Sequence, residues 1–325
     1  MSVLQFGNFQ DSTCNVCFRH CNLKEGQLGF CGGRICKDGR VIPANYGWHT
    51  ACYVDPIEKK PFARFFPGTK ILSIGSYGCN LRCPFCQNND ISWGDEAMEI
   101  AELVAERVRQ QEPISEREEI KGVYPPRRLR VYVTPEWLVN MADDSRKMGV
   151  IGIAFTYNEP LIGYEYVLDT FKLARERGLK TVLVTNGTAR VSILEKLLPY
   201  TDAMNIDLKA FTDRFYSELI GGDRRMTMEF IKRAVQDTHV ELTTLIIPGE
   251  NDTEEEMLEL ATWVSHLRDK RGFTMGAEVP LHVTKFHPCF HMTDREATDE
   301  DLVYRLAHVA HTRLNHVYVG NVRRR

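Results

Sequence analysis

Six short apolar runs, each ending in a polar or glycine-bearing tip and leading into a helical stretch, constrain this chain more than any other feature. They are Ile71–Ile74, Ile151–Phe155, Thr181–Val184, Ala203–Ile206, Leu242–Ile247 and Leu281–Phe286. Runs this short, rich in Ile, Val and Thr, predict strands buried on both faces. The stretches between them carry helix-start signals. Thr253 with Glu256 predicts a capping box before Met257, Leu260, Ala261 and Val264, and Thr298 with Asp301 predicts another before Leu302, Leu306 and Val309. The expected fold class is α/β, with a parallel sheet. Six units suggest a full or partial barrel, and a doubly wound open sheet is the competing architecture.

A chain of 325 residues, 43% hydrophobic and 26% charged, buries a full core and is neither disordered, collagen-like nor a coiled coil. With 41 basic against 44 acidic residues, no global field draws it to nucleic acid or to an anionic membrane. No apolar run approaches the roughly 20 residues of a bilayer span, and the first ten residues lack a signal-peptide pattern. The expected location is therefore the reducing cytoplasm, where ten cysteines suggest metal or redox chemistry rather than disulfides.

Seven of those cysteines are clustered: Cys14, Cys17, Cys21 and Cys31, then Cys79, Cys83 and Cys86. Cys36, Cys52 and Cys289 stand apart. The expected organisation is a small Cys-rich N-terminal module (1–70) and a barrel body (71–322), with a charged insertion at 95–130 that opens on one amphipathic helix. Cys79-x3-Cys83-x2-Cys86 lies just after the first apolar run. Three thiolates are one short of a closed zinc site, which would have to borrow a distant ligand. They suit a cubane [4Fe–4S] cluster with one iron left for a non-protein ligand.

At these residues the chain resembles the radical S-adenosylmethionine (SAM) superfamily. The resemblance implies that SAM chelates the open iron and that one electron cleaves it to a 5′-deoxyadenosyl radical, which abstracts hydrogen from substrate. It also implies a partial (β/α)6 barrel and an aromatic contact to adenine from Phe85. More narrowly, LSIGSYGCNLRCPFCQN is preceded by DPIEKKP at 55–61 and followed by TYNEP, TNG, NIDLKAF, IIPGENDT and YVGN. This set is similar to the AmmeMemoRadiSam-system radical SAM enzymes, a group related to pyruvate formate-lyase activating enzymes.

The other candidates follow the later runs, where α/β folds carry their sites. The family's Gly-Gly-Glu-Pro element stands here as Tyr157-Asn158-Glu159-Pro160, which implies that Glu159 meets the SAM amino group. Thr185-Asn186-Gly187 has Val184 where related enzymes carry a ribose-binding Asp. Asn186 is the polar candidate there, or an ordinary turn residue. Alternation puts Asn205, Asp207 and Lys209 on one strand face. Inward Asp207 and Lys209 need partners, either SAM and substrate or each other. His287 matches an activating-enzyme position near the adenosyl group, and is equally readable as a core or surface histidine.

Cys14, Cys17, Cys21 and Cys31 fit tetrahedral zinc or a second iron–sulfur cluster equally well. The resemblance implies an electron donor such as flavodoxin or ferredoxin. It implies as partners Memo-like and AMMECR-like proteins or a glycyl-radical-type protein substrate. A small-molecule substrate, or a zinc-binding scaffold without catalysis, is the alternative.

Overall fold

The computed structural model describes residues 12–113 and 131–322. Twelve strands occur among them: β1 (Arg34–Lys37), β2 (Arg40–Pro43), β3 (Trp48–His49), β4 (Ala51–Pro56), β5 (Lys70–Gly75), β6 (Val131–Tyr132), β7 (Val150–Phe155), β8 (Lys180–Thr185), β9 (Ala203–Asp207), β10 (His239–Ile246), β11 (Leu281–Lys285) and β12 (Val317–Gly320). The α-helices are α1 (Asn89–Trp93), α2 (Asp95–Arg109), α3 (Pro135–Asp144), α4 (Tyr164–Glu176), α5 (Val191–Leu197), α6 (Arg224–Ala234), α7 (Glu254–Ser265) and α8 (Glu300–His311). Among the described residues no helix is long and apolar enough to cross a membrane.

The main sheet has the order β12-β11-β10-β9-β8-β7-β5-β4. Every neighbouring pair from β5 to β12 is parallel, and β4 joins the edge antiparallel to β5. The order never reverses. A doubly wound sheet needs a reversal at its switch point, so a singly wound partial barrel is the architecture. All six apolar runs lie in or overlap strands. The sequence reading missed β12, a four-residue edge, and β4, which lay inside the expected module. The boundary at residue 70 therefore falls after a strand that already belongs to the sheet.

Side chains on the outer strand faces, such as Ile153, Leu183, Met204, Ile206 and Leu242, are buried with the apolar faces of the helices. Ile57, Phe62 and Phe65 close the inner face from below, against Ile71, Ala154, Val182 and Ala203. This plug is tied down by two polar anchors. Asn205 donates its side-chain amide to the Pro61 carbonyl (2.7 Å). The Glu241 carboxylate, fully buried, accepts from the amides of Ala63 and Arg64 (both 2.9 Å) and sits 3.0 Å from His239 Nε2 and 2.7 Å from His282 Nε2. Burial alone would raise the Glu241 carboxyl, but the two imidazoles and two amides hold it at about 2.

Helix α2 confirms the amphipathic start of the charged segment. Ala97, Ile100, Ala101, Val104, Ala105 and Val108 form its buried stripe and pack on Ile35, Ala44, Trp48 and Tyr77. Residues 114–130 of the expected insertion lie outside the described residues. Two capping expectations need adjustment. Thr253 does cap α7, accepting from Glu256 N, but the Glu256 carboxylate turns instead to Phe211 N (2.6 Å). Asp299, not Thr298, caps α8; the Thr298 hydroxyl donates to Ile246 O (2.6 Å) and accepts from Phe286 N, joining the ends of β10 and β11.

Candidate active site

Because the strands run parallel, their carboxyl ends share one end of the barrel; Cys79, Cys83, Phe85, Cys86, Glu159, Asn186, Asp207, Lys209 and His287 follow or end those strands, whereas Cys14, Cys17, Cys21 and Cys31 precede β1. The loop after β5 carries Cys79, Cys83 and Cys86. Its first turn is possible only at glycine: Gly78 has φ +87°, and a Cβ there would stand 2.4 Å from the Cys31 carbonyl oxygen. That carbonyl accepts from the Cys79 amide (3.1 Å). Arg82 braces the loop from outside, donating to Cys79 O (3.0 Å) and Phe30 O (2.6 Å) with its guanidinium over the Trp93 ring.

Tyr157-Asn158-Glu159-Pro160 follows β7. Tyr157 has a positive backbone angle (φ +73°), a strained conformation for a side chain of this size. Its hydroxyl offsets the strain by donating to Asp55 Oδ2 (2.6 Å), which also accepts from buried Lys60 (2.8 Å). Burial would raise the Asp55 carboxyl, yet these hydrogen bonds hold it at about 2. Asn158 stitches the cysteine loop to β7: its oxygen accepts from Ser76 N (3.0 Å), and its amide donates to Tyr77 O and Gly78 O.

Glu159 is buried between two loops. Its carboxylate is 2% exposed and accepts from Leu161 N (3.0 Å), the Thr185 hydroxyl (2.7 Å) and Asn186 N (2.7 Å). Burial pushes this carboxyl up to about 7 against the pull of those three donors. It is a brace between two loops rather than an open acid. Asn186 is similarly committed. Its side-chain amide donates to Asn80 Oδ1 (2.8 Å) and toward the Cys79 sulfur (3.8 Å), and its oxygen accepts from Thr188 N (2.9 Å). Phe85 is also covered, packing against Phe215 (6.1 Å between ring centres) beside Leu81 and Phe286.

Asp207 and Lys209 remain at the mouth. Lys209 Nζ lies 2.7 Å from Asp207 Oδ2, with side chains 17% and 30% exposed. Desolvation opposes the Lys209 charge, but Asp207 and the neighbouring Cys83 thiol more than compensate and raise its pKa. Burial pushes Cys83 up to about 12, with Lys209 pulling the other way. His287 is exposed beyond β11, its Nε2 3.4 Å from Asn321 O. The sequence reading missed Cys289, whose thiol donates to Phe85 O (3.2 Å), and His291, whose amide donates to Pro84 O (2.9 Å). Neither had a spacing signal, because both reach the loop only through the fold.

A surface depression lies elsewhere. Arg175, Glu195, Asp202, Arg233, Asp237 and His239 line it near the amino ends of the strands, away from the cysteines. Cys79, Cys83 and Cys86 supply three thiols at the carboxyl end, a donor set that fits a cubane with one open iron.

The defining pattern of the Radical SAM superfamily matches residues 73–261. The chain belongs to that superfamily. An uncharacterized protein of Methanocaldococcus jannaschii is 36% identical over 95% of this chain and 81% of its own length. Pyruvate formate-lyase 1-activating enzyme of Escherichia coli is 25% identical over 66% of this chain and 75% of its own. The Clostridium pasteurianum pyruvate formate-lyase-activating enzyme is 26% identical over 69% and 83%. Among solved structures, Streptococcus suis SuiB superimposes with a TM-score of 0.50 at 14% identity, covering 78% of this chain and half (50%) of SuiB. Membership in the radical SAM superfamily implies a [4Fe–4S] cluster and SAM as cofactors.

Proposed function

We propose that Cys79, Cys83 and Cys86 hold the catalytic [4Fe–4S] cluster of an activating-enzyme-like radical SAM oxidoreductase. The observation that carries this is the convergence of the three-cysteine loop with Asp207 and Lys209 at the carboxyl end of a singly wound barrel. Held there and reduced, the cluster would supply the one electron that breaks a C–S bond of SAM, releasing methionine and a hydrogen-abstracting 5′-deoxyadenosyl radical. Asp207 and Lys209 bind the zwitterionic and ribose ends of SAM. Glu159, Asn186 and Asn158 hold the loops beneath it, and Phe85 and Phe215 exclude water from the cluster's apolar side.

The likeness to activating enzymes supports a protein as hydrogen donor, with a flavodoxin or ferredoxin in the cytoplasm as the electron donor to the cluster. The motif set of the AmmeMemoRadiSam system favours a Memo-like or AMMECR-like protein as the partner. Two experiments test this. Anaerobically purified protein is expected to be brown and to cleave SAM once reduced, and Cys79→Ala, Cys83→Ala and Cys86→Ala are each expected to abolish cleavage. Any one of the three cleaving SAM at the wild-type rate overturns the cluster assignment. With a uniformly deuterated partner, deuterium is expected in the 5′-deoxyadenosine formed. Its absence with every such protein rejects the protein-substrate reading alone.

A further inference from the structure

We propose that Cys14, Cys17, Cys21 and Cys31 hold a second [4Fe–4S] cluster, ligated by protein at all four irons, and that Arg34 Nε–H donates to one of its sulfurs. The four cysteines line one small pocket, together with Arg19, Arg34 and Ile162.

 The walls are contributed by the segment 14–34 and by Ile162, just before α4.

Three observations favour a cluster there over a zinc ion. Zinc draws its sulfurs to about 2.3 Å, so its ligands must converge on one point. Among the described residues no three Cys, His, Asp or Glu side chains converge so closely. Four thiols surrounding one space without meeting suit a cubane, in which each sulfur reaches a different corner. The charge is favourable too: four thiolates on such a core carry roughly two negative charges, and Arg19 stands in the wall, whereas the Arg34 charge is already paired with Glu165. The third observation is an orphan donor. Arg34 is 4% exposed. Its other guanidinium nitrogens bond Glu165 (2.7 and 2.8 Å), Ile162 O (3.3 Å) and Val41 O (3.1 Å), but Nε has no partner. A buried N–H left unpaired is costly, and a cluster sulfur supplies its acceptor.

The site is joined to the Cys79 loop but does not depend on it for ligands. Cys31 O accepts from Cys79 N, and Arg19 Nε donates to Asn80 O (2.8 Å). The test therefore removes the first cluster. The triple variant Cys79→Ala, Cys83→Ala, Cys86→Ala, purified and reconstituted anaerobically as the full chain, is expected to keep about four irons and as many sulfides. Reduced, it should show an electron paramagnetic resonance signal that SAM does not alter. One zinc, or no iron, in that variant overturns the proposal while leaving the Cys79 reading intact. Should the triple variant not fold, wild-type iron content decides: about eight irons supports the second cluster, and about four with one zinc rejects it. Arg34→Lys keeps the charge and removes Nε–H, so the midpoint potential of the second cluster is expected to fall, since hydrogen bonds to sulfur favour the reduced state. An unchanged potential overturns the assignment of that hydrogen bond.

Discussion

Glu159 and Asp207 were both expected to touch SAM, and the structure separates them by what each carboxylate already does. Glu159 accepts from three protein donors and Asp207 from one. Glu159→Gln turns an amide N–H toward those donors, so it is expected to lower stability by about 1–3 kcal/mol, read as a lower Tm. Asp207→Asn removes a partly buried charge, paired with Lys209, at the mouth. It is expected to lower Tm, because the partly buried Lys209 charge loses its partner, and to weaken SAM binding about ten- to a hundredfold, measured by titrating SAM against the reduced protein. If Asp207→Asn binds SAM as tightly as wild type, its assignment to the cofactor is lost. Spacing made the cysteines and Asp207 legible in the sequence. The commitments of Glu159 and Asn186 were not legible, because they depend on which loops meet across β7 and β8. Cys289 was invisible for the same reason.

At the scale of elements, the plug beneath the barrel rests on Glu241. Its carboxyl is held at about 2, below its ordinary value of 4.5. A lowered carboxyl contributes stability above its unfolded pKa and loses it as pH falls toward the folded one. Stability from this group should therefore be complete above about pH 4.5 and decline toward pH 2, by about 3 kcal/mol in all. Glu241→Gln is expected to be less stable than wild type at pH 7 and to show a shallower acid decline. Denaturant unfolding at a series of pH values measures both, and parallel curves for the two proteins would count against the anchor. The strands themselves were easier to read than their anchors. Five-residue runs of Ile, Val and Thr announce a buried strand, whereas β4 and β12, being edges, carry mixed faces. The plug's hydrogen bonds join residues far apart in sequence, so no local pattern could announce them.

For the whole molecule, the N-terminal segment and the barrel share a core rather than a linker. Removing residues 1–49 strips Ile35, Ala44 and Trp48 from the buried face of α2 and from Tyr77. The shortened chain is expected to aggregate or to bind a hydrophobic dye, because several apolar side chains lose their cover at once. A monomeric product with the wild-type Tm would show that the segment is dispensable. Six strands of the main sheet were legible from the rhythm of the sequence; this docking was not, since it depends on contacts such as Arg34 with Glu165, separated by 131 residues. That separation also sets a timetable. At ordinary translation rates the interval between making the two partners is on the order of ten seconds. For much of it, Cys14, Cys17, Cys21 and Cys31 have left the ribosome while Ile162, the part of their wall that comes from the barrel, is still unmade. Oxygen and stray metal encountered during synthesis therefore reach these thiols more readily than anything added to the finished protein.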